Sequence, residues 1–320
     1  MPGVINQSEF SLIKVKELHP TFAAEVSGID FSKDIPDDVF AEIYAAAAKY
    51  GVLAFRNAIY DDHAHVAFSA RFGELDDIKP YIAAGRKNRF ACDQLFDVSN
   101  MDDDGNLLAN DTPRAHAKKG NGLFHVDSSF NPRRAGYSLL RAVELPPPNT
   151  GGETEYADTR AAWDDLDEDF KQELLEKDYI VHHCLWQSRK AGSPEFYKDI
   201  KPEEYPMSRH KLIQTHEPSG RKNIYIAAHA HHIEGLSYEE SRAILDKLYK
   251  HSCQKKYTIS VPWENNGDVV LWDNTCVMHR AAGGSYAGKY KRDMRRATVH
   301  DMSSTAWGLN PHVDTRQGFP

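Results

Sequence analysis

Cysteine is scarce in this chain: four in 320 residues (Cys92, Cys184, Cys253 and Cys276), scattered and without a Cys-x-x-Cys pair. That scatter argues against a disulfide framework and predicts a reducing compartment. Basic residues are in short supply too, 39 Lys and Arg against 47 Asp and Glu, for a net charge of −8. A generic polyanion binder needs a basic footprint, so no nucleic-acid partner is expected. No uninterrupted apolar stretch approaches membrane-spanning length, and Met1 to Phe10 lacks the basic-then-apolar pattern of an export signal. No membrane partner is expected, and the expected location is cytoplasmic. Internal repeats and low-complexity linkers are also missing, which favours one domain over 1–320 with insertions.

What is present is material for a sizeable core: five Trp, 15 Tyr and 14 Phe within 41% hydrophobic residues. Pro36 and Asp37 open a helix over Asp37 to Tyr50, alanines fill it and Gly51 closes it. Val52 to Phe55 reads as a buried strand, and Asp61 to Phe72 as a second helix ending at Gly73. Ser237-x-x-Glu240 is a capping box, followed by the apolar stripe Ile244, Leu245, Leu248 and Tyr249. Short β-rich runs stand at Gly122–His125, Tyr137–Val143, Lys222–Ile226, Tyr257–Val261, Val269–Leu271 and Ala297–Val299. Together they predict a mainly β fold, a double-sheet core with flanking helices. The stretches 100–122 and 187–210 lack a convincing period and read as loops, candidate covers of an active site.

His125-Val126-Asp127 is the most informative triplet. On one extended strand, its imidazole and carboxylate face the same side. A second imidazole from His279 would complete the two-histidine, one-carboxylate face that suits ferrous iron with open coordination positions. On the triplet alone, hydrogen-bonded core histidines and a turn aspartate account for the pattern better than a metal does. The rival run His229, His231 and His232 offers a pair on one face but no carboxylate at matching spacing, save Glu234 on a bent segment. His182 and His183 point to opposite faces. Arg292 and Arg296 share a face of the segment from Lys291 to Thr298, with Arg295 and Asp293 on the other. Paired inward guanidinium forks suit organic carboxylates, and Thr154 after Gly151-Gly152 could add a hydroxyl donor. A zinc hydrolase using His125, Asp127 and His279, or a non-catalytic β-barrel binding protein, also stays open on these residues. The zinc reading leaves Arg292 and Thr154 without a role.

Taken as a set, the motifs resemble a known family. They are His125-x-Asp127-Ser128-Ser129-Phe130, Gly151 to Tyr156, Trp272-Asp273-Asn274, His279-Arg280 and Arg292 to Thr298. Val26 to Asp30, Gly51 to Arg56, Phe72 to Leu75, Asp97 to Asn100 and His232 to Leu236 extend the likeness over roughly residues 15 to 300, in consistent order. The family is that of the taurine and 2,4-dichlorophenoxyacetate dioxygenases, Fe(II)- and 2-oxoglutarate-dependent oxygenases, and the phenoxyacetate branch is the closer. The resemblance implies a distorted jelly-roll, a double-stranded β-helix. It implies Fe(II) on His125, Asp127 and His279, with the distal carboxylate of 2-oxoglutarate on Thr154 and Arg292. Arg296 would lie by the keto-acid end and the substrate, and Trp272 would help to wall the cavity. The implied reaction consumes O2 and 2-oxoglutarate, releases succinate and CO2, and oxidises a small organic anion such as an aryloxyalkanoate, amino acid or sulfonate. Asp127 argues against a halogenase, because related halogenases lose that carboxylate. Phe55-Arg56-Asn57-Ala58 departs from the Gly and Gln that many relatives carry after Phe-Arg, so the substrate side is expected to differ. The expected partner is that small anion, with a homo-oligomer left open.

Overall fold

The computed structural model describes residues 9–83, 87–313 and 315–316. Local sequence accounts for its best-formed helices. Helix α1 (Asp37–Tyr50) starts after Pro36 and stops where Gly51 takes the left-handed conformation, φ 70°, donating its N–H to the Ala47 carbonyl. Glycine adopts that conformation without a Cβ penalty. Helix α2 (Asp62–Ala70) is capped by Asp61, whose carboxylate accepts from the Ala64 N–H. It ends two residues before Phe72, in a turn that reaches Gly73. Further on, α8 (Tyr238–Ser252) carries both halves of the Ser237/Glu240 capping box and buries Leu245 and Leu248.

Fifteen strands, numbered in chain order, form one large and three small sheets among the described residues. The large sheet runs β1 (Lys14–Glu17), β2 (Ala24–Ser27), β3 (Val52–Phe55), β13 (Val269–Asp273), β5 (Ala135–Glu144), β15 (Asp293–His300) and β4 (Leu95–Asp97). Every pairing in it is antiparallel except β2 with β3. Strand β13 is the centre, with Leu271 opposite both Leu53 and Leu139. Period two sorts its side chains. Val269 and Leu271 enter a core shared with Ile43, Ala46 and Phe68 of α1 and α2. Val270 and Trp272 enter a second core, with Tyr156, Val261 and Val277 of a smaller sheet. Both faces are therefore buried, which is why β13 reads as a continuous apolar run rather than an alternating one.

That smaller sheet is β12 (Thr258–Val261), β6 (Thr154–Asp158) and β14 (Val277–Ala281). A third sheet joins β11 (Ala230–Ile233), β7 (Ile180–His183) and β8 (Ser208–Lys211), and β9 (Ile213–His216) pairs with β10 (Arg221–Ile224). The remaining helices are α3 (Lys79–Ala83), α4 (Pro113–Lys119), α5 (Thr159–Asp164), α6 (Glu168–Lys177) and α7 (Leu185–Gly192). No helix among the described residues is long and apolar enough to cross a membrane.

Gly122–His125 is not a strand. Gly120–Gly122 forms a 3-10 turn, His125 makes one isolated bridge to His279, and the chain turns at once with Ser128 left-handed at φ 56°. Asp and Ser favour such local turns over a ladder. The stretches 100–122 and 187–210 are not plain loops either. The first holds α4, the second most of α7 and the start of β8. Helices α4 and α7 pack at their glycines: a Cβ on Gly192 would lie 2.5 Å from the Gly120 nitrogen. Arg189 of α7 donates to the Ala117 carbonyl at 2.7 Å and to Asn121 Oδ1 at 2.8 Å. His116 stacks on Phe196 with centroids 3.9 Å apart. The two stretches thus form one joined layer beside the turn that leads into His125.

Candidate active site

His125 and His279 face each other through reciprocal backbone hydrogen bonds of 2.9 and 2.8 Å, which set their imidazole centroids 4.3 Å apart. Two residues on, Asp127 brings Oδ2 to 3.6 Å from His279 Nε2. The ligand atoms of all three residues lie within 4.8 Å of one another, and all three side chains are buried. They close the gap between the large sheet and the β12–β6–β14 sheet: Asp127 Oδ2 accepts from Ser138 on β5 at 2.7 Å, while His279 pairs with Tyr156 across β14 and β6.

Each ligand is held by a neighbour. His125 Nδ1 lies 2.7 Å from the Leu123 carbonyl, which fixes the proton there and leaves Nε2 as the free donor. Asn274 Oδ1 accepts the Asp127 N–H at 2.9 Å and the Trp272 indole N–H at 3.0 Å, while Asn274 Nδ2 reaches Ser138 at 3.0 Å. The Trp272 ring lies 4.5 Å from that of His279 and is itself buried, so it backs the site. Arg296 donates to Asp127 Oδ1 and to Thr298 Oγ1, and sits over the Phe96 ring. Burial would raise the Asp127 carboxyl, but the Arg296 guanidinium above all, with the Ser138 hydroxyl, opposes it and holds the group below the usual carboxylate range. Burial also lowers His125 and His279, against the pull of Asp127. Two neutral imidazoles and one carboxylate are the protonation states that metal ligation requires.

A second polar pocket adjoins. Arg292 is buried and turns Nε and NH2 onto the Gly152 carbonyl, at 3.1 and 2.9 Å. Among the described residues no carboxylate lies within ion-pair distance of it. Burial lowers its guanidinium, with Tyr286, Tyr156 and Glu153 opposing. The neighbouring Tyr156 hydroxyl is buried without a hydrogen-bond partner, and Thr154 Oγ1 accepts from the Trp263 indole at 3.3 Å. Gly152 must be glycine: its φ is +98°, and a Cβ would stand 3.2 Å from Arg292 Nε.

The rival histidines do not gather. His229 abuts His125, centroids 5.6 Å apart, whereas His231 and His232 contact each other and sit by Glu203, Tyr238 and His182. His182 meets Glu234 at 3.3 Å, and His183 points the other way to Ser129. Arg295 and Asp293 do pair, at 3.3 Å. Two residues with clear positioning contacts escaped the sequence reading. Asn274 was visible only inside a motif, and Ser138 carried no local signal.

Residues 14–298 match the family model described as "Taurine catabolism dioxygenase TauD, TfdA family". The chain belongs to that family. It is a 2-oxoglutarate-dependent non-haem iron dioxygenase by membership. It is 37% identical over 288 residues to an alpha-ketoglutarate-dependent 2,4-dichlorophenoxyacetate dioxygenase of Burkholderia sp. (strain RASC), covering 90% of this chain and 94% of that one. It is 32% identical over 274 residues to a (S)-phenoxypropionate/alpha-ketoglutarate-dioxygenase of Sphingobium herbicidovorans, covering 83% and 88%. The crystal structure of AAD-2 in complex with Mn(II) and N-oxalylglycine superposes with a TM-score of 0.82 at 35% identity, covering 95% of this chain and all of that one. The TauD/TfdA membership gives the His125, Asp127 and His279 cluster its chemical context.

Proposed function

We propose that this chain holds Fe(II) on His125, Asp127 and His279, anchors the distal carboxylate of 2-oxoglutarate on Arg292 and Thr154, and oxidises a small organic anion of the aryloxyalkanoate class. The observation that carries the reading is Arg292, buried without a carboxylate partner beside three converging metal donors. A lone buried guanidinium is costly unless an anion completes it. The donor set suits ferrous iron, since imidazole and carboxylate fill one face and leave the other open. Aryloxyalkanoates stand ahead of sulfonates and amino acids because the dichlorophenoxyacetate and phenoxypropionate relatives cover most of this chain. In this reading the large sheet and the β12–β6–β14 sheet are the walls of a distorted jelly roll, 1–320 is one domain, and stretches 100–122 and 187–210 are its lid.

With iron and 2-oxoglutarate bound, the site supplies an oxidant that takes hydrogen from carbon, consuming O2 and releasing succinate and CO2. The protein's own groups position and exclude. Asp127 stays ionised, with Arg296 on its outer oxygen. The Leu123 carbonyl aims His125 Nε2 inward. Trp272 and Tyr156 keep water from behind His279. Arg296 lies where it can also meet a substrate carboxylate. Hydroxylation of the carbon beside an ether oxygen gives a hemiacetal that collapses, so an aryloxyacetate leaves as a phenol and glyoxylate.

The test is aerobic turnover of iron-reconstituted protein with 2-oxoglutarate and 2,4-dichlorophenoxyacetate, followed by the phenol and succinate formed. The two should appear in equal amounts and only when O2 and 2-oxoglutarate are both present. A zinc hydrolase would need neither. No succinate across a panel of aryloxy, amino and sulfonic acids would overturn the reading.

A further inference from the structure

Outside this site, one more cluster among the described residues gathers metal-binding donors. His216 closes β9, Asp273 closes β13 and Cys276 stands in the turn that leads to β14; all three are buried, and their ligand atoms lie within 4.8 Å of one another. We propose that His216, Asp273 and Cys276 form a second metal site, for a divalent cation of the zinc type.

The donors are already aimed. His216 Nε2 lies 2.9 Å from Asp273 Oδ2. The outward atoms are held elsewhere: His216 Nδ1 by Ser219 Oγ at 2.6 Å, and Asp273 Oδ1 by the Thr275 N–H and hydroxyl at 2.8 and 2.6 Å. Outer partners of this kind orient metal ligands, and the inner atoms, His216 Nε2 and Asp273 Oδ2, are joined by a hydrogen bond whose proton a metal would replace. The thiol lies 3.9 Å from the Asp273 carbonyl and also interacts with the His216 imidazole. A structural ion pair between His216 and Asp273 accounts for two members of the cluster, and the third, the Cys276 thiol, packs in the core against the same imidazole.

The donor set is electrostatically compatible with a cation. One imidazole, one carboxylate and one thiolate would neutralise a divalent ion. The neighbouring guanidinium Arg160 is neutralised by Asp158 at 3.0 Å, and Arg134 by Asp301 at 2.8 Å. A cavity of about 140 Å³ lined in part by His216, Asp273 and Thr275 opens beside two of the three donors. A cation there ties the β9–β10 hairpin to the turn that delivers Asn274 and His279.

Cobalt distinguishes this site from the oxygenase centre, which has no sulfur donor. Chelator-treated protein titrated with Co(II) should bind two ions per chain and develop a near-ultraviolet sulfur-to-cobalt charge-transfer band. His125→Ala should keep the band, whereas Cys276→Ser and His216→Gln should each lose it while keeping the wild-type far-ultraviolet circular dichroism. Should Cys276→Ser fail to fold, His216→Gln decides. Absence of the band in saturated wild-type protein, or its survival in either variant, would overturn the proposal. Because the band does not depend on turnover, the result stands apart from the oxygenase reading.

Discussion

Asp127 is held by Asn274, Ser138 and Arg296, and substitutions at Asp127, at Asn274 and at Arg292 in the adjoining pocket should each leave a different trace. Asp127→Ala takes away the only carboxylate of the cluster and should abolish substrate-dependent succinate formation; undiminished release would count against its role. Asn274→Ala frees the Asp127 backbone and Ser138 together and should weaken iron binding roughly ten- to a hundredfold, read by anaerobic iron titration of folded protein. Arg292→Met should raise KM for 2-oxoglutarate roughly ten- to a hundredfold, as expected for lost hydrogen bonds to a charged group, with a smaller change in kcat. At this scale the sequence was legible where chemistry sits in a short spacing, as in His125-x-Asp127. Ser138 and Asn274 were not, because they reach Asp127 from 11 and 147 residues away.

Helix α1 was legible to the residue at both ends and α8 at its start, because caps are local: Gly51 ends one and Ser237 with Glu240 begins the other. Ser237→Ala should cost about 1 kcal/mol of stability, seen as a lower unfolding midpoint with KM unchanged. Strands β6, β7 and β11 escaped notice. Thr154–Asp158 and Ala230–Ile233 have weak strand patterns of their own and are fixed by partners such as His279 opposite Tyr156. The helices in the two supposed loops were hidden for a similar reason, since α4 and α7 brace each other. Gly192→Ala should force them apart at a cost of about 1–3 kcal/mol. Faster proteolysis within 100–122 is the expected sign; an unchanged cleavage rate would contradict the packing described.

The whole molecule buries neutral histidines far apart. His65 sits under the large sheet, its Nε2 3.0 Å from the Leu139 carbonyl, and burial with Arg141 lowers its pKa to about 3. Burial with Arg134 lowers His183 to about 3 as well. The unfolded chain takes up these protons near the ordinary histidine value, before the folded protein does. Stability from both groups is therefore complete above about pH 6.5 and is lost as pH falls towards 3, at about 1.4 kcal/mol per pH unit for each. Denaturant unfolding should show a loss of roughly 2–4 kcal/mol between pH 7 and pH 5; a flat profile would mean that these imidazoles are not held neutral. The central claim, one iron on three side chains beside a keto acid anchored by Arg292, has a direct test. Anaerobic protein loaded with Fe(II) is titrated with 2-oxoglutarate and watched for the visible iron-to-keto-acid charge-transfer band. The account predicts a saturable band in the wild type, none in His279→Ala and a much weaker affinity in Arg292→Met. No band in the wild type, or one that persists in His279→Ala, would contradict it.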